Sequence, residues 1–246
     1  MFQIEDIKEK NIDKFYEIYL KGGKIKLIES IAEGLGKRTY FTIDSQGIIK
    51  RNKINLALSL ITTLDESNYK EIIKDIIENM VDLTQREKIK KIERLSKYSI
   101  DTLIKNFNKI LASGNRIFGL KYGKELFFRD KNLFFKMLFD YILLEDIDTQ
   151  KSIMAWSLYD LLKNNEFSDE VFYVGMSYIL QRGAVFTQYE KLTSTNILEE
   201  TSKEKVFEMA NKSKSLEVIS YGKILNEFSY TKEALYTEKL KKFLEE

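Results

Sequence analysis

Apolar residues recur at intervals of three and four through almost the whole chain, and this period constrains the fold more than any other feature. Between residues 4 and 20, Ile4, Ile7, Ile12, Phe15, Ile18 and Tyr19 fall on one helical face. Gly22 and Gly23 then stop the helix, since paired glycines accept the left-handed backbone that a C-terminus often needs. A second helix is expected over 24–35, with Ile25, Ile28, Ile31 and Ala32 as its stripe. The pattern resumes at Arg51 and predicts helices over 51–64 and 68–83, parted by the stop-and-cap cluster DESN. Thr84 and Glu87 form a capping box, TQRE, which opens a helix to Tyr98, and Ser99 caps another to Ala112. Leu133 to Leu144 is apolar at ten of twelve positions, the mark of a helix buried nearly all round. Further helices are expected over 149–164, 169–182, 202–212, 215–227 and 231–245.

Two stretches depart from this period. Residues 34–53, GLGKRTYFTIDSQGIIKRNK, alternate like a strand, turn at DSQG and carry five cations. Arg38 to Ile43 and Ile48 to Arg51 can pair there as a hairpin, with Gly47 supplying the permissive turn position. Residues 113–132, with three glycines, are expected to be irregular. The fold class is therefore mainly all-α. It is an irregular bundle or stack of about ten helices with one small β-hairpin near residues 38–51. The expected organisation is a single compact helical domain, within which 1–112 and 133–246 are conceivable sub-bundles joined by 113–132. The chain has no Pro, which suits helices, but a composition rich in Lys, Ile and Asn produces the same absence. Periodicity carries the argument.

Composition decides more about chemistry. With no Cys and no His there is no thiolate nucleophile, no Ser-His-Asp or Cys-His arrangement and no zinc site of the usual ligands. Gly36-Lys37-Arg38 is not a phosphate loop, because Arg38 stands where Ser or Thr is needed and Ile31 where the first Gly is needed. Ser-x-x-Lys occurs at Ser67, Ser202, Ser220 and Ser229, against roughly two expected by chance, and the sequence context of a catalytic Ser-Lys dyad is missing. Glu145, Asp146 and Asp148 precede a helix and are read as cap and first-turn charges rather than magnesium ligands. Trp156 sits at core spacing with Ile153 and Tyr159. No catalytic residue, metal ligand or cofactor is expected.

Charge is unevenly placed. Residues 81–140 hold 14 Lys and Arg against 7 Asp and Glu, whereas 141–246 hold 13 against 18. On the expected helix over 84–98, Arg86, Lys90, Arg94 and Lys97 form one basic ridge. Hairpin pairing gathers Lys37, Arg38, Lys50, Arg51 and Lys53 at its base. The run RIFGLKYGKELFFRDKNLFF mixes rings with cations, and its aromatics are read chiefly as core. These features favour a non-enzymatic protein-binding module, such as an adaptor, inhibitor or immunity-type protein, acting through charged surfaces. The alternative is nucleic-acid binding through the basic segment 81–140. The longest uncharged run, Ile54 to Leu64, is too short to cross a membrane, and the N-terminus is charged, so a cytoplasmic location is expected.

Overall fold

The computed structural model describes residues 2–35, 41–43, 45–51, 55–93, 95–180, 185–194 and 202–245, and the fold is predominantly α-helical. Chain order gives α1 (Ile4–Lys8), α2 (Ile12–Ile31), α3 (Ala57–Thr62), α4 (Tyr69–Asp75), α5 (Ile100–Ser113), α6 (Arg116–Arg129) and α7 (Lys131–Leu144). These are followed by α8 (Lys151–Leu162), α9 (Asp169–Ile179), α10 (Thr187–Ser194), α11 (Lys203–Asn211), α12 (Leu216–Glu227) and α13 (Glu233–Glu245). No helix among the described residues is long and apolar enough to cross a membrane. The chain divides into two compact units, residues 1–92 with 160–177, and residues 93–159 with 178–246.

In the first unit the side chain of Asn11 accepts from the Lys14 N–H and starts α2. Gly23, at φ 71°, breaks α2 as the paired glycines predict. Phe15, Leu27, Ile28 and Ile31 are buried along this element. Asn55 Nδ2 donates to the carbonyls of Leu35 and Met80 at 3.2 and 2.9 Å, joining the chain after α2 to the π turn Ile76–Met80 that extends α4. Phe41–Ile43 and Ile49–Arg51 lie antiparallel, with Phe41 opposite Arg51 and Ile43 opposite Ile49. This pairing is only three residues long, and the longer hairpin expected over 38–51 is not established by it. Arg38, Thr39 and Tyr40 lie outside the described residues.

The helix expected over 84–98 does not form. Its capping box is overruled by other partners: the Thr84 N–H goes locally to Asp82 Oδ1, and the Glu87 N–H goes to the distant Glu33 carbonyl at 3.0 Å. Asp82 N–H likewise donates to the Gly34 carbonyl at 2.9 Å. Beyond the short 3₁₀ turn Leu83–Gln85 the described residues up to Ser99 are non-helical. Exposure there alternates: Gln85, Glu87 and Ile89 are half-buried, and Arg86, Lys88 and Lys90 are exposed. An anchored extended segment satisfies its N–H groups on a neighbour, so local capping propensity has nothing left to decide.

In the second unit Ser99 caps α5 by accepting from the Thr102 N–H, and Gly114, at φ 65°, ends it. Residues 116–129, expected to be irregular, form α6. Gly119 is a packing site rather than a break: a Cβ there would lie 2.3 Å from Leu180 Cδ1. Asp130 accepts from the Leu133 N–H at 2.8 Å and starts α7. Replacing Asp130 by Ala is expected to lower stability by about 1 kcal/mol, read as a shift of the urea midpoint with unchanged slope. Phe134, Phe135, Leu138 and Phe139 on α7 are fully buried, as their near-continuous apolar run predicts. Rings from neighbouring elements close on them, with Tyr159 4.8 Å from Phe135 and 5.3 Å from Phe139. The short helix α10 was not signalled by the sequence, being polar on most of its eight residues.

Candidate functional site

The ridge of Arg86, Lys90, Arg94 and Lys97 is not a helical face, because no helix carries it. Arg86 Nε donates to Glu33 Oε2 at 2.6 Å, and its guanidinium lies 5.0 Å from the Phe2 ring, so this cation serves its own unit. Lys90 and Lys97 are exposed on the non-helical segment, and Arg94 lies outside the described residues. Lys37, Arg38 and Lys53 also lie outside them. Lys50 and Arg51 belong to the short antiparallel pairing, on the strand opposite Thr42 and Phe41. Among those of them that are described, Lys97 is next in the chain to a built surface.

That surface belongs to α6 and the segment before α5. Glu125 is buried, and its carboxylate accepts from the Ser96 N–H at 2.8 Å and the Ser96 hydroxyl at 2.9 Å. Arg129, one turn along α6, pairs with Glu125 and donates to the carbonyls of Tyr98 and Ser96 at 2.6 and 3.2 Å. A carboxylate and a guanidinium on successive turns thus clip residues 96–98 onto the helix. The charged clip matters because a buried carboxylate without partners is costly.

The clip positions Tyr98 against α6. Its ring lies 5.9 Å from Tyr122 at 71°, and Tyr122 lies 5.9 Å from Phe118. The Lys121 ammonium stands 6.0 Å from the Phe118 ring. Desolvation, followed by the hydrogen bond with Tyr98, pushes the Tyr122 phenol upward, so Tyr122 stays neutral near pH 7. Phe118 is 46% exposed, Tyr98 45% and the adjacent Ile117 64%, a high exposure for side chains of this size. Lys121 beside Phe118, and Lys97, which precedes Tyr98 in the chain, are both exposed. An apolar group with neighbouring cations is the result.

The aromatic–basic run of the sequence is thereby divided. Phe127, Phe134 and Phe135 enter the core, as expected, while Phe118 and Phe128 face solvent. The dividing signal was the helical period: Ile117, Phe118, Lys121, Tyr122 and Phe128 share one side of α6 once the segment is read as a helix.

Of the acidic run after α7, Asp146 precedes and Asp148 stands in the first turn of a short 3₁₀ helix, Ile147–Thr149, as expected, but the carboxylates of Glu145 and Asp146 are engaged elsewhere. Glu145 is fully buried and pairs with Lys151 at 2.7 Å, and Asp146 Oδ1 accepts from the Gln188 N–H of α10 at 2.9 Å. Among the described residues no group of three or more His, Cys, Asp or Glu is placed to hold a metal ion. Trp156 packs beside Phe139 and Tyr159, with the Lys223 ammonium over its ring.

No protein-family model, curated protein or solved structure matches the chain.

Proposed function

We propose that the chain is a non-catalytic binding module that docks an acidic polypeptide on the surface formed by Tyr98, Ile117, Phe118 and Tyr122. The observation that carries this reading is the exposure of Ile117, Phe118 and Tyr98 beside Lys97 and Lys121. Protein interfaces place exposed aromatic and aliphatic anchors at the centre and charge at the rim. Cations at the rim favour a partner with Asp and Glu around an apolar patch, since they steer encounter and fix orientation.

Nucleic-acid binding through 81–140 draws on the same cations and is the competing reading. Two features favour a polypeptide. Tyr98 meets Tyr122 edge-on rather than offering a parallel face for a base, and aliphatic Ile117 is the most exposed member of the group. The cations nominated at the hairpin, Lys37, Arg38, Lys50, Arg51 and Lys53, form no part of the proposal.

A photoreactive phenylalanine analogue at position 118 tests the reading in cells, with position 20 as control because Leu20 is also exposed. The expected result is an adduct with an acidic protein at 118 and not at 20. Lys97→Glu with Lys121→Glu should remove that adduct, and Phe118→Ser should weaken the isolated complex about 30-fold. Adducts that vanish on nuclease treatment transfer the surface to nucleic acid, and identical adducts at 118 and 20 overturn both readings.

A further inference from the structure

A second surface of the same unit has a different shape and chemistry. Between α10 and α13 lies a cleft of about 430 Å³, lined by Asp146, Thr187, Gln188, Lys191, Leu192, Lys239, Lys242 and Phe243. Helical spacing explains the two walls. Gln188, Lys191 and Leu192 stand at i, i+3 and i+4 on α10, and Lys239, Lys242 and Phe243 repeat that spacing on α13. Each wall therefore offers one exposed lysine beside one apolar side chain.

The floor is built from buried polar groups. Lys239 is 2% exposed, and its ammonium donates to the carbonyls of Leu143 and Glu145 and lies 4.9 Å from the Tyr221 ring. It thereby caps the C-terminus of α7, where a cation is favoured. Asp146, the single carboxylate of the lining, accepts from the Gln188 N–H at 2.9 Å. The lining holds three lysines against one carboxylate. A concavity of this volume suits a small molecule rather than a polymer.

We propose that this cleft binds a small amphipathic anion, a carboxylate or phosphate monoester whose charged head meets Lys191 and Lys242 and whose short apolar body rests on Leu192 and Phe243. Charge-assisted bonds from opposite walls hold the head, and the apolar pair excludes neutral polar solutes. Lys239 adds a pH dependence. Burial pushes its ammonium down to about 7, against the pull of Asp146 and Glu145 in the opposite direction. The groups facing it are Asp146 and Glu145 after α7 and Tyr221 on α12, with Lys191 of α10 and Lys242 of its own helix sharing the cleft. Lys239 carries its charge below its pKa, so binding of an anion weakens as pH rises through about 7.

Amide shifts in ¹⁵N-labelled protein, with phenyl phosphate, benzoate and phenol as probes, test this. The expected result is saturable shifts at Gln188, Leu192 and Phe243 with the two anions and none with phenol. Lys191→Gln and Lys242→Gln each weaken phenyl phosphate about tenfold, the size of one charge-assisted bond. Both lysines are exposed, and an unchanged circular dichroism spectrum and urea midpoint establish that the variants remain folded. Equal binding of phenol, affinity indifferent to both lysines, or no saturable shift with either anion overturns the proposal.

Discussion

Lys151→Met is expected to lower stability by about 3–5 kcal/mol, a third or more of what a domain of ordinary stability possesses. Lys151 and Glu145 are 2.7 Å apart with side chains 4% and 0% exposed, so removing the cation leaves a carboxylate that water cannot reach. Burial, and then the adjacent Glu145 charge, push the Tyr141 phenol well up beside the same pair. The urea midpoint of the variant measures the loss. Its pH dependence identifies the cause. A buried carboxylate without its partner has a folded-state pKa above the unfolded one, so the variant should regain stability as pH falls through that raised value. Adding Glu145→Gln should recover part of the loss at neutral pH, because an amide needs no counter-charge. If the single variant is as stable as the parent at every pH, the pair is not the buried anchor described.

Phe135→Ala is expected to cost a similar 3–5 kcal/mol, for a different reason. Its ring is fully buried and stands 5.0 Å from Phe134, 5.8 Å from Phe127, 6.1 Å from Phe139 and 4.8 Å from Tyr159. Truncation removes apolar burial and leaves a cavity whose aromatic walls cannot collapse without breaking their own contacts. Phe135→Leu should cost less than about 1.5 kcal/mol, since it keeps most of the volume. Phe118→Ala provides the contrast. Its parent ring is half exposed, and the variant should stay within about 0.5 kcal/mol of the parent while losing partner binding. Equal losses for Phe118 and Phe135 would contradict the division of the rings between surface and core.

These two phenylalanines also show how far the sequence could be read. Helical period identified the buried run on α7, and the cap at Ser99 and the break at Gly23 followed from side-chain chemistry and backbone freedom. Such signals are local. The failures lie where a distant partner outweighs a local one. TQRE is a sound capping box, yet Glu87 N–H finds the Glu33 carbonyl 54 positions earlier, and the expected basic ridge dissolves with the helix. Gly119 reads as punctuation until Leu180 is seen to occupy the space of its missing side chain. The candidate surface was half legible: its rings and cations were noticed, but the side facing solvent depended on recognising α6 as a helix. The clip of Glu125 and Arg129 onto residues 96–98 left no sequence signal, since nothing in a Glu-x-x-x-Arg spacing says that backbone from before α5 will lie across it.

The first unit is assembled from residues 1–92 and 160–177, and this interrupted composition fixes the order of events during synthesis. A nascent chain that has delivered only residues 1–92 lacks Val171, Phe172 and Met176, all buried, and lacks Ser168, whose hydroxyl donates to Glu29 at 3.0 Å. The first unit therefore cannot be completed until residue 177 has been made. Its apolar surfaces must wait through the translation of roughly 70 further residues, several seconds at ordinary elongation rates. A ribosome stalled before residue 160 releases a fragment in which the core of this unit is incomplete.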